Sequence, residues 1–178
     1  MIILGSEALA SGLVTPYELR MNFRRVLPDV HAPRSLELTL LDRIRAAVLW
    51  SGRQAVVTGV AAAALHGARW VDAATVIGLN HANNRAPEGV KTRNETLLRD
   101  EVTRIRGIPV TTVERTAFDL ARHGAVVPGV QRLDALARAT GFRVQDVLAL
   151  AARHPGVRGL LRVPQVLDLV DAGAQSPQ

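Results

Sequence analysis

The chain has 178 residues, 48% of them hydrophobic, and a formal charge of +6. That length suits one ordinary domain or a module of a larger protein, and the apolar content excludes wholesale disorder. With no cysteine in the sequence, disulfides, thiolate metal sites and a cysteine nucleophile are excluded, and a reducing, cytoplasmic setting is compatible.

The first residues, Met1 to Glu7, lack a basic stretch and do not read as a secretory signal. The longest apolar run lies around Val60 to Leu65, far short of the about 20 residues that cross a bilayer, so a soluble protein is expected. Of the 22 basic residues all but Lys91 are arginine. Arginine forks onto phosphates and reads guanine edges; arginine-rich codon usage in a GC-rich genome produces the same bias. The positive excess itself points to an anionic partner.

Residues 5–34 form a leading unit. Residues 6–11 predict a turn and a half of helix, which Gly12 stops. Thr15 then caps a second short helix with Pro16 at its first position. Phe23 to Ala32 predicts an extended hairpin with Pro28 and Asp29 at the turn. A helix followed by a basic strand pair is the order of a recognition helix and its wing. A complete winged helix has three helices, and only two short ones precede Phe23, so the unit is a reduced version.

Ser35 is expected to cap a longer helix running to Ser51, with Leu40, Leu41, Ile44, Ala47 and Val48 on one stripe and Gly52 ending it. Residues 55–57 predict a buried strand, and Thr58 caps an alanine-rich helix closed by Gly67. Strands follow over 75–79, 90–93, 96–98 and 101–105, then over 108–110 after an Arg106-Gly107 turn. They predict a small antiparallel or mixed sheet. The remainder is helical, over residues 112–123, 131–139, 144–153 and 164–170, and Ala172 to Gln178 has the composition of a linker.

Gly107 to Arg122 reads G-I-P-V-T-T-V-E-R-T-A-F-D-L-A-R and runs a strand straight into a helix. Pro109 suits an edge strand or a strand end. Thr111 and Glu114 stand at the spacing of a capping box. Arg115 and Asp119, four apart, are expected to form a partly buried ion pair that fixes the helix against the strand. Together with V-T-G-V-A-A-A-A-L-H-G over 57–67, this stretch resembles the AbiEi-type antitoxins of type IV toxin–antitoxin systems. It is still more similar to actinobacterial proteins in which such a region precedes a Vsr-like (DUF559) endonuclease domain. The resemblance spans roughly residues 5–177 and is carried by packing and capping residues. It implies a mixed α/β fold and an N-terminal winged helix that binds operator DNA. In the second group a Ser-Pro like Ser176-Pro177 opens the endonuclease-like domain. The chain is therefore expected to be either an isolated front portion or a naturally short product.

Thr15, Tyr17, Arg20, Asn22, Arg24 and Arg25 are the candidate DNA contacts. Asparagine reads adenine, arginine reads guanine, and paired arginines suit phosphates. The same residues on an exposed helix also make an ordinary solvated basic face. The five histidines, His31, His66, His81, His123 and His154, show no i, i+4 pair and read as structural or surface residues. The serines fall at caps and turns, none in a nucleophile elbow, and Gly156 to Gly159 lacks the spacing and lysine of a phosphate loop. Arg153, Arg158 and Arg162 make a basic patch or lie over a packed surface.

The expected architecture is α/β (α+β). A reduced winged-helix-like unit (5–34) precedes an α/β region (35–172), made of a small mixed sheet with packed helices and a helical C-terminal part, and then a tail (173–178). The expected function is a non-enzymatic, DNA-binding, antitoxin-like transcriptional regulator, cytoplasmic, without metal, cofactor or membrane. Its protein partner would be a toxin or a second copy. The alternative is an interaction or scaffold module, the front portion of a Vsr-like nuclease protein without its catalytic domain.

Overall fold

The computed structural model describes residues 1–69, 71, 72 and 74–174, and within them eight α-helices and eight strands follow one another. The fold is mixed α/β, with a three-stranded antiparallel sheet, a five-stranded mixed sheet and a helical C-terminal part. It divides into two compact units, Met1–Val57 with Asp72–Thr96, and Thr58–Val71 with Leu97–Gln178.

The first unit holds β1 (Ile3–Leu4), α1 (Gly5–Ala10), α2 (Pro16–Asn22), β2 (Phe23–Leu27), β3 (Val30–Pro33) and α3 (Leu40–Trp50). It continues through β4 (Val56–Thr58), β5 (Ile77–Asn80) and β6 (Val90–Arg93). The hairpin β2–β3 forms as expected, with Asp29 in the left-handed turn conformation at φ 60° and the register Phe23↔Pro33, Arg25↔His31. Strand β1, too short to show a period, pairs with β3 as a third strand. Helix α3 packs on β1, β2, β3 and β5. Its residues Ile44, Ala46, Ala47 and Val48 are buried, as are Val30 and Ala32 of β3 and Ile77 and Leu79 of β5. This helix begins later than expected. Thr39, and not Ser35, is its cap. The Thr39 hydroxyl accepts from the Asp42 amide at 3.2 Å while the Asp42 carboxylate accepts from the Thr39 amide at 3.1 Å, and that reciprocal pair outcompetes an unsupported serine. Strands β5 and β6 pair in parallel, Ile77 opposite Val90.

The second unit contains α4 (Gly59–Leu65), β7 (Val102–Ile105), β8 (Ile108–Thr111), α5 (Val113–Arg122), α6 (Val126–Thr140), α7 (Val144–Ala152) and α8 (Val163–Ala174). Strands β7 and β8 make a hairpin whose two central residues, Arg106 and Gly107, both have positive φ, 51° and 77°. That is the turn whose twist matches the flanking strands. Residues 96–98, expected as a strand, instead lead into a 3-10 turn over Arg99–Glu101. Around α5 the helices bury Phe118, Leu133, Leu136, Val147, Val163, Val166 and Leu167 in one apolar core. Helix α8 runs to Ala174, past the predicted end at Val170, so three residues read as linker continue the helix; residues 175–178, with Ser176 and Pro177, lie outside the described residues.

Helix α5 is capped by Thr112, whose hydroxyl accepts from the Arg115 amide at 3.3 Å. The expected capping residue, Thr111, still belongs to β8, and its hydroxyl meets that of Thr116 at 2.8 Å. The expected Arg115–Asp119 pair is present but fully buried and part of a larger network. Arg115 donates through Nη1 to Glu101 at 2.7 Å and through Nε to both Asp119 oxygens at 3.2 Å. Arg122 donates to the same Asp119 at 2.9 Å and to the Arg158 carbonyl at 3.3 Å. Glu101 also accepts from the Leu98 amide at 3.1 Å and meets His154 Nε2 at 2.5 Å. The Phe118 ring lies beneath, with the Arg122 guanidinium 4.9 Å and the Arg115 guanidinium 5.6 Å from its centroid. Glu101 and Arg115 are each only 1% exposed. At Gly159 a side chain would collide with this arrangement, because an added Cβ would lie 2.4 Å from the Arg122 carbonyl oxygen.

Burial opposes ionisation of Glu101, yet the hydrogen bonds from His154, Leu98 and Arg115 hold its carboxyl below the ordinary glutamate value. A depressed carboxyl contributes stability above its unfolded value, about 4.3, and that stability is lost as pH falls through the folded value. Urea titrations should therefore show wild-type stability dropping below about pH 4, with a flatter profile for Glu101→Gln. At neutral pH that variant should be less stable by about 3–5 kcal/mol, since it leaves Arg115 without one of its counter-charges.

Candidate nucleic-acid interface

Helix α2 has no buried residue. A helix this short does not persist in water on propensity alone, where about 12–15 residues are marginal, so bonds at its two ends must hold it. At the start, the Thr15 hydroxyl accepts from the Glu18 amide at 3.2 Å, and the Glu18 carboxylate accepts from the Thr15 amide and hydroxyl, each at 2.8 Å. Those hydrogen bonds, the backbone one first, also hold the Glu18 carboxyl below its ordinary value. At the end, Arg34 donates from Nε to the Met21 carbonyl at 3.1 Å and from Nη2 to the Arg20 carbonyl at 3.2 Å. Its amide donates to the Asn22 carbonyl at 2.9 Å. Three carbonyls that the helix leaves without partners are thus satisfied, with a cation at the negative end of the helix dipole.

Residues of α1, α2 and the β2–β3 hairpin line an open groove of about 430 Å³. Its apolar lining is Leu9, Pro16, Leu19 and Phe23; its basic lining is Arg20, Arg24, Arg25 and Arg34, with His31 beside them. Pro16, Leu19 and Arg20 share one side of α2 because their spacing follows the helical period, and Phe23 follows as the first residue of β2. No carboxylate is among the described residues of the lining. The acidic residues of this region are engaged elsewhere: Glu7 takes Arg53 in a two-pronged pair at 2.7 Å, Asp29 accepts from the Ser6 amide at 2.9 Å, and Glu18 is in the cap.

Of the six residues read from the sequence as DNA contacts, the fold brings Arg20, Arg24 and Arg25 to this groove. Arg24 is half-buried and donates one Nη2 bond to the Leu36 carbonyl at 2.9 Å. Arg20 and Arg25 are exposed, and within the described residues no hydrogen bond or ion pair engages either guanidinium. The other three do not line the groove. The Thr15 hydroxyl is committed to the cap. Tyr17, 64% exposed, makes a separate stripe with Met21, 52% exposed, and Asn22 is exposed at the end of the helix. Sequence reasoning missed Arg34 and His31. The Phe23↔Pro33 register returns the chain beside the end of α2, and that return is invisible in a linear reading.

The buried network around Arg115 is sealed from solvent, whereas Arg20 and Arg25 of the groove are exposed to it. Among the described residues no three His, Asp or Glu side chains gather in a way that would hold a metal ion, and no helix is long and apolar enough to cross a membrane. No protein-family model matches the chain, and no curated protein matches it.

If Arg34 is the latch of α2, Arg34→Ala should speed amide hydrogen exchange over residues 16–25 markedly. Global stability should fall by no more than about 1 kcal/mol, the scale of a cation at an exposed helix end.

Proposed function

We propose that this chain is a non-enzymatic, DNA-binding regulator of the antitoxin type, cytoplasmic, which grips DNA through the groove of its first unit. The observation that carries the reading is the convergence of Arg20, Arg24, Arg25 and Arg34 around an open groove without a carboxylate. Unpaired guanidinium groups attract phosphates, and release of the counterions condensed on DNA drives association. The overall charge of +6 acts in the same direction, raising the encounter rate with a polyanion. A short helix pinned at both ends presents Arg20 in a set orientation, which a phosphate or a guanine edge requires.

Binding to the DNA upstream of the chain's own reading frame, measured across a salt series, tests this. The logarithm of affinity should fall linearly with the logarithm of salt. Arg20→Ala and Arg25→Ala should each weaken binding and lower the slope by about 0.9, the loss of one phosphate contact. Affinity indifferent to substitution of Arg24 and Arg25 would remove DNA from the account.

A further inference from the structure

The groove has a second half that a phosphate backbone leaves unused. Leu9, Leu19 and Phe23 line it together with the arginines, and Leu9 is 39% exposed. Apolar surface of this kind is favourable to cover, whereas phosphates offer it nothing to bury. We propose that the groove also takes a short acidic amphipathic segment of a partner protein. Its apolar side chains would seat on Leu9, Leu19 and Phe23, and its carboxylates on Arg20 and Arg25. The proposal shares its groove with the DNA reading and does not depend on it.

Three features support that occupant. The first is charge: four arginines and His31 line the groove with no carboxylate among them, and Arg20 and Arg25 lack any partner within the described residues. A guanidinium fork matches a carboxylate in two parallel hydrogen bonds. The second is size, since about 430 Å³ accepts one or two anchoring side chains, with an apolar centre and a charged rim. The third is order. Helix α2 has no fully buried residue and is held by the Thr15–Glu18 box and by Arg34. A partner therefore meets a surface already formed, and association does not have to order the helix. Because the acidic segment and DNA would claim the same arginines, the partner would displace DNA and so regulate it.

Fluorescence polarisation on the full chain tests the proposal with a labelled helical peptide carrying Leu and Phe on one face and Glu on the other. The control has the same charge, with every Leu and Phe replaced by Ser. The amphipathic peptide should bind at least about tenfold more tightly than the control, the scale of burying one large apolar side chain. Leu9→Ser should weaken the peptide by about fivefold or more through the same lost burial, while leaving duplex DNA within about twofold. Arg25→Glu, at a strand position whose exposed side chain has no bond among the described residues, should abolish peptide binding, and a thermal melt confirms that both variants fold. Equal binding of the two peptides, or none by either, would overturn the proposal. So would a loss of DNA affinity in Leu9→Ser as large as the loss for the peptide, which would assign the apolar half to nucleic acid. Peptide binding without any DNA binding would support this inference and sink the DNA reading alone.

Discussion

A guanidinium removed from water needs fixed counter-charges around it, and Arg115 finds them in Glu101 and Asp119. Desolvating such a cation costs several kcal/mol, and only close, well-directed carboxylates offset that cost. The consequence is positional. Glu101 belongs to the turn before β7, Asp119 and Arg122 to α5, His154 to the segment after α7, and the Arg158 carbonyl to the approach to α8. The buried network around Arg115 and Arg122 therefore constrains where a strand begins, which face α5 turns inward and how the last helices return. The network sets two guanidinium groups against two carboxylates, and among the described residues no buried side-chain nitrogen or oxygen lacks a hydrogen bond. Phe118 completes it from below with its ring face, the electron-rich side that attracts cations.

The first unit uses the same residue type in the opposite way. Arg20 and Arg25 stand in solvent without partners among the described residues, and Arg34 and Arg24 are partly committed to backbone carbonyls while still lining the groove. An exposed arginine costs nothing to leave unpaired because water solvates it. It is then free to meet an anion. A helix with no buried face would ordinarily fray; here a capping box and a guanidinium substitute for burial. Polar bonds at its two ends leave the exposed face of α2 available to a partner.

Much of the local structure was legible in the chain. The hairpin turn at Asp29, the Arg106-Gly107 turn, Pro16 opening α2 and the Arg115–Asp119 spacing all follow from constraints reaching no further than four residues. The errors were local competitions between equivalent groups. Thr39 displaced Ser35 and Thr112 displaced Thr111, in each case because the winning residue lay outside a neighbouring strand or had a reciprocal partner. The groove was half legible: a basic helix and a basic strand suggested a surface, and three of the six named residues reached it.

What the sequence determined by itself was most of the elements and the sign of the charge, since backbone propensity, capping and periodicity act between near neighbours. Only the tertiary structure decided which arginines are buried and which are free. Glu101 and His154 come from 14 and 53 positions away from their partners, and Arg34 returns to α2 through a strand pairing. Electrostatic energy depends on distance and solvation in three dimensions, and neither is written in the order of the residues.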